Sequence, residues 1–134
     1  MTLRYLLDTN VISKLASDPD SPMWDRLAER AGEVCTSVIV RCEIAYGFAK
    51  GIPQQRKDRV ELVLSSLPIL PVGEEVAGHY GDLRTGLQAR GELIGANDMF
   101  IAAHALSESL TIVTNNTREF ARVPNLRVED WSAT

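Results

Sequence analysis

Three acidic residues have positions at which a carboxylate could take part in chemistry. Two lie where one predicted element ends and the next begins, and the third lies beside the apolar face of a predicted helix. Asp8 follows a short apolar run, Asp98 begins a late helix, and Glu43 lies inside a helix on the border of its apolar stripe. Carboxylates that meet in a fold repel one another and raise each other's pKa unless a cation lies among them. An all-oxygen cluster without His or Cys selects Mg²⁺ or Mn²⁺. Asp8, Glu43 and Asp98 are therefore candidate catalytic residues and metal ligands, and the chemistry they suggest is phosphodiester hydrolysis.

Four polar residues follow two of the predicted strands. Thr9 and Asn10 come soon after the first apolar run, whereas Thr114 ends the run 110–114 and Asn116 lies just beyond it. Hydrogen bonds from such side chains orient the carboxylates of a metal site. We therefore expect all four residues to support the acids.

Each acid also has a purely structural interpretation. Asp8 can cap the helix that follows it, and Asp98 can lie in a first helical turn because the helix dipole favours an acid there. Glu43 can extend from its helix into water. Taken one at a time, the three acids leave catalytic and structural roles open.

The surrounding pattern alternates apolar strands with helices. The predicted strands cover residues 3–7, 33–36, 69–72, 110–114 and 126–128, and predicted helices begin after Ser21, Ser37, Pro53, Glu74 and Asn97. This order favours an α/β fold with a four- or five-stranded, mostly parallel central sheet flanked by helices. Ligands of such sheets bind beyond the carboxyl ends of the strands, where the strand order reverses. Asp8 and Asn116 are expected to project at that edge.

The helix that Ser37 caps is predicted to bury an apolar stripe. The stripe consists of Ile39, Cys42, Tyr46 and Ala49. Cys35 and Cys42 lack the spacing of a ligand pair, so we expect two buried thiols and neither a disulfide nor a zinc site.

Length and composition exclude several classes of protein. A chain of 134 residues with 45% hydrophobic and 24% charged residues is typical of one globular domain. No apolar run approaches the roughly 20 residues of a membrane span, and the first residues lack a secretion signal. We therefore expect a cytoplasmic protein without membrane contact.

The charge balance is acidic. Lys and Arg number 14 against 18 Asp and Glu, which gives a net charge of −4. Broad phosphate binding normally requires a basic excess, so any nucleic-acid contact must be local. The arginines expected to contact phosphate are Arg84, Arg90, Arg118 and Arg122.

Four segments resemble the motifs of PIN-domain ribonucleases in order and spacing. They are LLDTNVI at residues 6–12, SVIVRCEIAYG at 37–47, IGANDMFIAAHA at 94–105 and IVTNNTREF at 112–120. One such motif is weak, whereas four in order are specific, and the resemblance covers essentially the whole chain. With the tail LRVEDW at 126–131, the chain resembles the VapC toxins of bacterial VapBC toxin–antitoxin modules.

The resemblance implies a single PIN domain over residues 1–134, built as a three-layer sandwich. It also implies a toxic Mg²⁺- or Mn²⁺-dependent endoribonuclease that a cognate VapB antitoxin neutralises. A homodimer and a larger hetero-oligomer with the antitoxin are expected on the same basis.

The same resemblance assigns roles within the acidic site. Asp8 and Asp98 are expected as direct metal ligands, and Glu43 as a ligand through water or of a second ion. Many PIN domains carry Asp where this chain has Asn116, so a fourth carboxylate is expected to be missing, which favours one ion. An Asp at position 116 is expected to be tolerated.

The sequence is compatible with more than one substrate and function. The tail resembles enteric-type toxins that cut the anticodon loop of initiator tRNA, although only 6% of the residues are aromatic and able to stack on loop bases. DNA is an alternative substrate because metal–carboxylate chemistry needs no 2′-OH. A PIN-like binding module without catalysis and a phosphate-accepting signalling receiver are further alternatives.

Overall fold

A five-stranded parallel sheet forms the centre of residues 2–132, the part of the chain that the computed structural model describes. The strands are β1 (Tyr5–Leu7), β2 (Val34–Ser37), β3 (Ile69–Leu70), β4 (Thr111–Val113) and β5 (Val128–Glu129). Their spatial order is β3-β2-β1-β4-β5, and all four pairings are parallel. The predicted parallel sheet is confirmed in its five-stranded form.

Seven helices connect the strands within the described range. They are α1 (Thr9–Ser17), α2 (Met23–Glu29), α3 (Val38–Ala49), α4 (Gln54–Ser65), α5 (Val76–Ala89), α6 (Ala96–Ser107) and α7 (Thr117–Phe120). Every residue of β1, β2 and β4 is buried, and successive side chains of a strand point to opposite faces. Both faces of the sheet are therefore covered, which confirms the predicted sandwich. Between residues 2 and 132, no helix is both long and apolar enough to cross a bilayer.

The strand order reverses at β1. The chain runs from β1 through β2 to β3 on one side and then crosses back, so that β4 pairs with the other side of β1. The register places Leu7 beside Val113, and the Asp8 N–H continues this pairing by donating to the Val113 carbonyl at 3.0 Å. The residues that follow β1 and β4 consequently leave the sheet side by side.

The buried face of α3 differs from the predicted stripe. Val40 and Ile44 are buried, whereas Cys42, Tyr46 and Ala49 are exposed. Helix α3 carries apolar residues on several sides, so its period alone does not decide which side docks on the neighbouring elements. The expectation of two buried thiols is correct for Cys35 and wrong for Cys42.

A buried hydrogen bond joins the start of α3 to α6. Ser37 is the N-cap of α3, its Oγ accepts from the Ile39 N–H at 3.1 Å, and the same Oγ lies 2.7 Å from Nδ1 of the fully buried His104. Burial lowers the pKa of His104 and favours the neutral ring. The contact therefore helps to hold α3, which carries Glu43, against α6, which carries Asp98.

Candidate active site

Asp8 is a helix cap and also the most buried acid of the candidate site. It is 4% exposed at the N-cap of α1, where its Oδ1 accepts from the Thr9 N–H at 2.7 Å. Its Oδ2 accepts from the Thr114 hydroxyl at 2.9 Å. Burial raises the pKa of Asp8 and the charge of Glu43 adds to this effect, although the two hydrogen bonds oppose it. The capping interpretation of Asp8 is therefore confirmed, and the same carboxylate is close enough to Glu43 to feel its charge.

Glu43 is held by two neighbouring elements and does not extend freely into water. The Thr9 hydroxyl of α1 donates to its Oε1 at 2.5 Å, and the Asn97 amide of α6 donates to its Oε2 at 3.3 Å. Thr9 therefore contacts two acids, with its N–H on Asp8 and its hydroxyl on Glu43. The predicted proximity of these acids is present in the structure.

Asp98 lies half-buried in the first turn of α6, close to three other carboxylates. Burial and the charges of Asp8, Glu43 and Glu119, together with a hydrogen bond to Glu119, raise its pKa from 3.8 to about 7. Near neutral pH without a cation, this group is therefore partly protonated. Asp98 shows most strongly the mutual repulsion that the sequence predicts.

Glu119 is a carboxylate beside Asp98 that the sequence does not place at the site. It lies on α7 and contacts Asp98, while its Oε2 accepts from the Asn116 amide at 3.1 Å. An Asp at position 116 would remove this donor and place a like charge beside Glu119, so the expected tolerance of that substitution loses its basis. The missed signal is the pattern of Asn followed by Glu three residues later, which marks a helix start.

Thr114 and Asn10 complete the polar edge beyond β1 and β4. Thr114 is fully buried, and its hydroxyl accepts from the Asn116 N–H at 2.9 Å while it donates to Asp8. The Asn10 side chain accepts from the Asn115 N–H at 3.4 Å. Thr9 and Thr114 thus bind the predicted acids directly. The Asn10 side chain binds the backbone at Asn115, and the Asn116 amide binds Glu119, which is not one of the predicted acids.

The acids line one open cleft of about 530 Å³, the acidic cleft. Its walls include Asp8, Glu43 and Asp98 and also two cationic residues, Lys14 of α1 and Arg56 of α4. Helices α1 and α4 pack together, which explains how residues so far apart in sequence reach the same cleft. Neither cation can be placed near the acids from the sequence, because only this long-range packing brings them there.

The four arginines expected near phosphate lie outside the lining of this cleft. Arg90 pairs with Glu92 at 2.9 Å and donates to the Arg122 carbonyl at 2.8 Å, while Arg84 donates to the Tyr80 hydroxyl at 2.5 Å. These side chains join parts of the protein surface to each other. The expected phosphate contact through Arg84, Arg90, Arg118 and Arg122 is therefore not supported at the acidic cleft.

The donor set of the acidic cleft fits a hard divalent cation. Carboxylate, hydroxyl and amide oxygens line it, and a cation there would offset both the burial and the neighbouring negative charges that raise the pKa of Asp98. Within residues 2–132, no three His, Cys, Asp or Glu side chains stand together as a formed metal-binding group. The cleft therefore suits a cation by the chemistry of its oxygen donors and not by a ligand geometry that is already formed.

Comparison with known proteins assigns the family. Residues 5–126 match the PIN domain family, so the chain belongs to that family. This membership decides against the signalling receiver considered from the sequence.

Similar proteins extend over nearly the full length. Ribonuclease VapC2 of Haemophilus influenzae is 41% identical over 96% of this chain and 98% of its own length. The tRNA(fMet)-specific endonuclease VapC of Shigella flexneri is 37% identical over 97% of this chain and 99% of its own. The crystal structure of VapBC2 from Rickettsia felis bound to a promoter DNA fragment matches with a TM-score of 0.89 at 36% identity, covering 98% of this chain and 99% of that chain.

Asp98→Asn is expected to stabilise the metal-free protein in a pH-dependent way. Because the folded-state pKa of Asp98 lies above its ordinary value, its ionisation costs stability as pH rises from about 4 through about 7. After EDTA treatment, the Tm of Asp98→Asn should exceed that of the parent clearly at pH 8 and much less at pH 4.5. Asp82→Asn, an exposed change outside the cleft lining, is the control. A Tm difference that is the same at both pH values would contradict the charge argument.

Proposed function

We propose that the chain is a VapC-type toxin, a divalent-metal-dependent endoribonuclease that hydrolyses phosphodiester bonds in RNA. The observation that carries the proposal is the meeting of Asp8, Glu43 and Asp98 in one cleft at the switch point of a PIN-domain sheet. Relatives named as ribonucleases, similar over nearly the whole chain, support it.

Asp8 and Asp98 would hold Mg²⁺ or Mn²⁺ directly, with Glu43 contributing through water or toward a second ion. When bound, such an ion supplies Lewis acidity for phosphodiester hydrolysis. The chain's own residues orient the acids: Thr114 binds Asp8, Thr9 binds both Asp8 and Glu43, and Asn116 binds Glu119. Thr9 lies in α1, Thr114 directly follows β4 and Asn116 directly precedes α7. Because regular structure positions these groups, we expect the carboxylates to need little rearrangement when they take up a ligand.

Initiator tRNA is the substrate that we propose within this class, and a VapB-type antitoxin is the proposed partner. The Shigella flexneri relative is named a tRNA(fMet)-specific endonuclease, and the Rickettsia felis match is a VapBC complex. The dimer and the larger assembly with antitoxin implied by the resemblance belong to the same proposal.

Asp8→Asn is expected to abolish RNA cleavage while leaving the fold intact. The substitution keeps the shape of the side chain but removes the charge that a cation needs, so the rate should fall by more than about 100-fold. The measurement is cleavage of total RNA with Mg²⁺, Mn²⁺ or EDTA, followed by sequencing of the new RNA ends and a parallel assay on DNA of matched sequence.

Asp82→Asn serves as the matched control and should cut like the parent. Cleavage that persists in EDTA, or an Asp8→Asn protein that cuts normally, would contradict the proposal. Cuts scattered over messenger RNA would overturn the tRNA assignment alone, and faster cutting of DNA would favour the DNA alternative.

Lys14 and Arg56 are the cations placed to attract a phosphate backbone toward an otherwise negative cleft. The Lys14 Nζ lies 3.7 Å from the Asp18 Oδ2. Arg56 is exposed at the cleft wall. A Lys or Arg side chain that binds a phosphate releases a counterion from the nucleic acid. Removing that side chain therefore removes both the contact and its dependence on salt. These two residues replace, within the proposal, the four arginines expected from the sequence.

Arg56→Ala is expected to raise KM for RNA and leave kcat nearly unchanged. The slope of log KM against log salt concentration should fall in magnitude by about 1, because one phosphate contact is lost. Arg84→Ala is the matched control, since Arg84 lies on α5 outside the cleft lining. Equal effects of the two substitutions would show that Arg56 has no special contact with the substrate.

A further inference from the structure

A second hollow adjoins the acidic cleft. It has a volume of about 460 Å³ and shares Thr9 and Glu43 with the acidic cleft. Its other walls include Tyr46, Gly47 and Lys50 of α3 and Asn97 of α6. Its size falls in the range of ligand pockets, about 300–1,000 Å³. We call it the Tyr46 hollow.

Tyr46 is the most unusual side chain of this hollow. It is 66% exposed, although the sequence pattern predicts it to be buried. The Lys50 ammonium lies over the ring, 4.9 Å from its centroid. An open aromatic ring beside a cation is the combination with which proteins hold single-stranded nucleic acid, the ring by stacking and the cation by its charge.

Gly47 keeps the wall of the hollow open. A Cβ built on Gly47 would meet no atom within 4 Å, so a larger side chain would find free space there. Because glycine also weakens a helix interior, replacing it on α3 is expected to fill space without weakening the helix. Gly47 therefore offers a way to block the hollow without cutting away any existing contact.

Glu43 connects the hollow to the proposed chemistry. It lies three residues before Tyr46 on α3, which places the two side chains on neighbouring positions of one helix surface. Glu43 is at the same time bound to Thr9, whose N–H binds Asp8. A nucleotide in the hollow would therefore lie next to the phosphate that the acids address.

We propose that the Tyr46 hollow receives one base of the RNA substrate, adjacent to the bond that is cut, stacked on Tyr46 with its phosphate near Lys50. This inference rests on the proposed function. The substrate then crosses the acids between two cationic regions, with Lys14 and Arg56 on one side and Lys50 on the other. The hollow selects unpaired nucleotides, since a base held in a duplex has no free face to stack on the ring.

The test compares binding of a labelled single-stranded RNA with binding of an equally long RNA that carries abasic sites. All variants are made in the Asp8→Asn chain, so that binding is read by fluorescence anisotropy without cleavage. Tyr46→Ala should weaken binding of the intact RNA about ten-fold and leave the abasic RNA nearly unaffected. Tyr46→Phe, which keeps the ring, should bind like its parent.

Gly47→Leu tests the hollow from the opposite direction. It should weaken binding of the intact RNA as Tyr46→Ala does, while the Tm stays equal or rises. Leu62→Ala is the control, because Leu62 is 73% exposed on α4 and lines neither the acidic cleft nor the Tyr46 hollow.

Two results would overturn the proposal. One is that Tyr46→Ala weakens binding of intact and abasic RNA equally, or weakens neither. The other is a smaller sedimenting species in Tyr46→Ala, which would identify this face as a contact between copies of the chain. The two proposals can fail separately. If the protein with Asp8 intact cuts no RNA while RNA binding still depends on Tyr46, the proposed function is wrong and base binding in the Tyr46 hollow is supported. If it cuts RNA and binding does not depend on Tyr46, the proposed function is supported and base binding in the hollow is wrong.

Discussion

The mutual repulsion of four carboxylates is the constraint around which the rest of the site is arranged. Asp8, Glu43, Asp98 and Glu119 come from four different parts of the chain, and the charges of the other three add to burial in raising the pKa of Asp98 to about 7. Such groups separate unless something holds them. Thr9, Thr114, Asn97 and Asn116 do this, and each donates a side-chain hydrogen bond to one of the acids.

The parallel sheet supplies the rigid base for this arrangement. β1 and β4 are fully buried neighbours, and the residues that follow them leave the sheet at the same level. The buried pair Ser37 and His104 links the two helices that carry Glu43 and Asp98. Because the order of the strands reverses beside β1, the loops diverge there and leave an open cleft between them. The fold thus holds the carboxylates together where a substrate can reach them.

The sequence predicts the parts of this site that depend on local pattern. Asp8 follows a predicted apolar strand, Thr114 ends one, and Asp98 follows a loop rich in turns, so their positions at one sheet edge can be inferred from the alternation of strands and helices. Glu119 lies on a four-residue helix that is too short to show a period. Arg56 reaches the cleft only through the packing of α4 on α1. Tyr46 is misassigned because α3 is apolar on several sides, and only the docking of the whole helix decides which side is buried.

A divalent cation in the acidic cleft is expected to relieve the repulsion among its carboxylates. The most direct measurement is the Tm at pH 8 as a function of Mn²⁺ concentration, for the parent and for the double variant Asp8→Asn with Asp98→Asn. We expect a saturable rise in Tm for the parent, equivalent to about 2.7 kcal/mol when the free ion exceeds its Kd 100-fold, and no rise for the double variant. Equal curves for the two proteins, or a parent whose Tm does not respond, would contradict it.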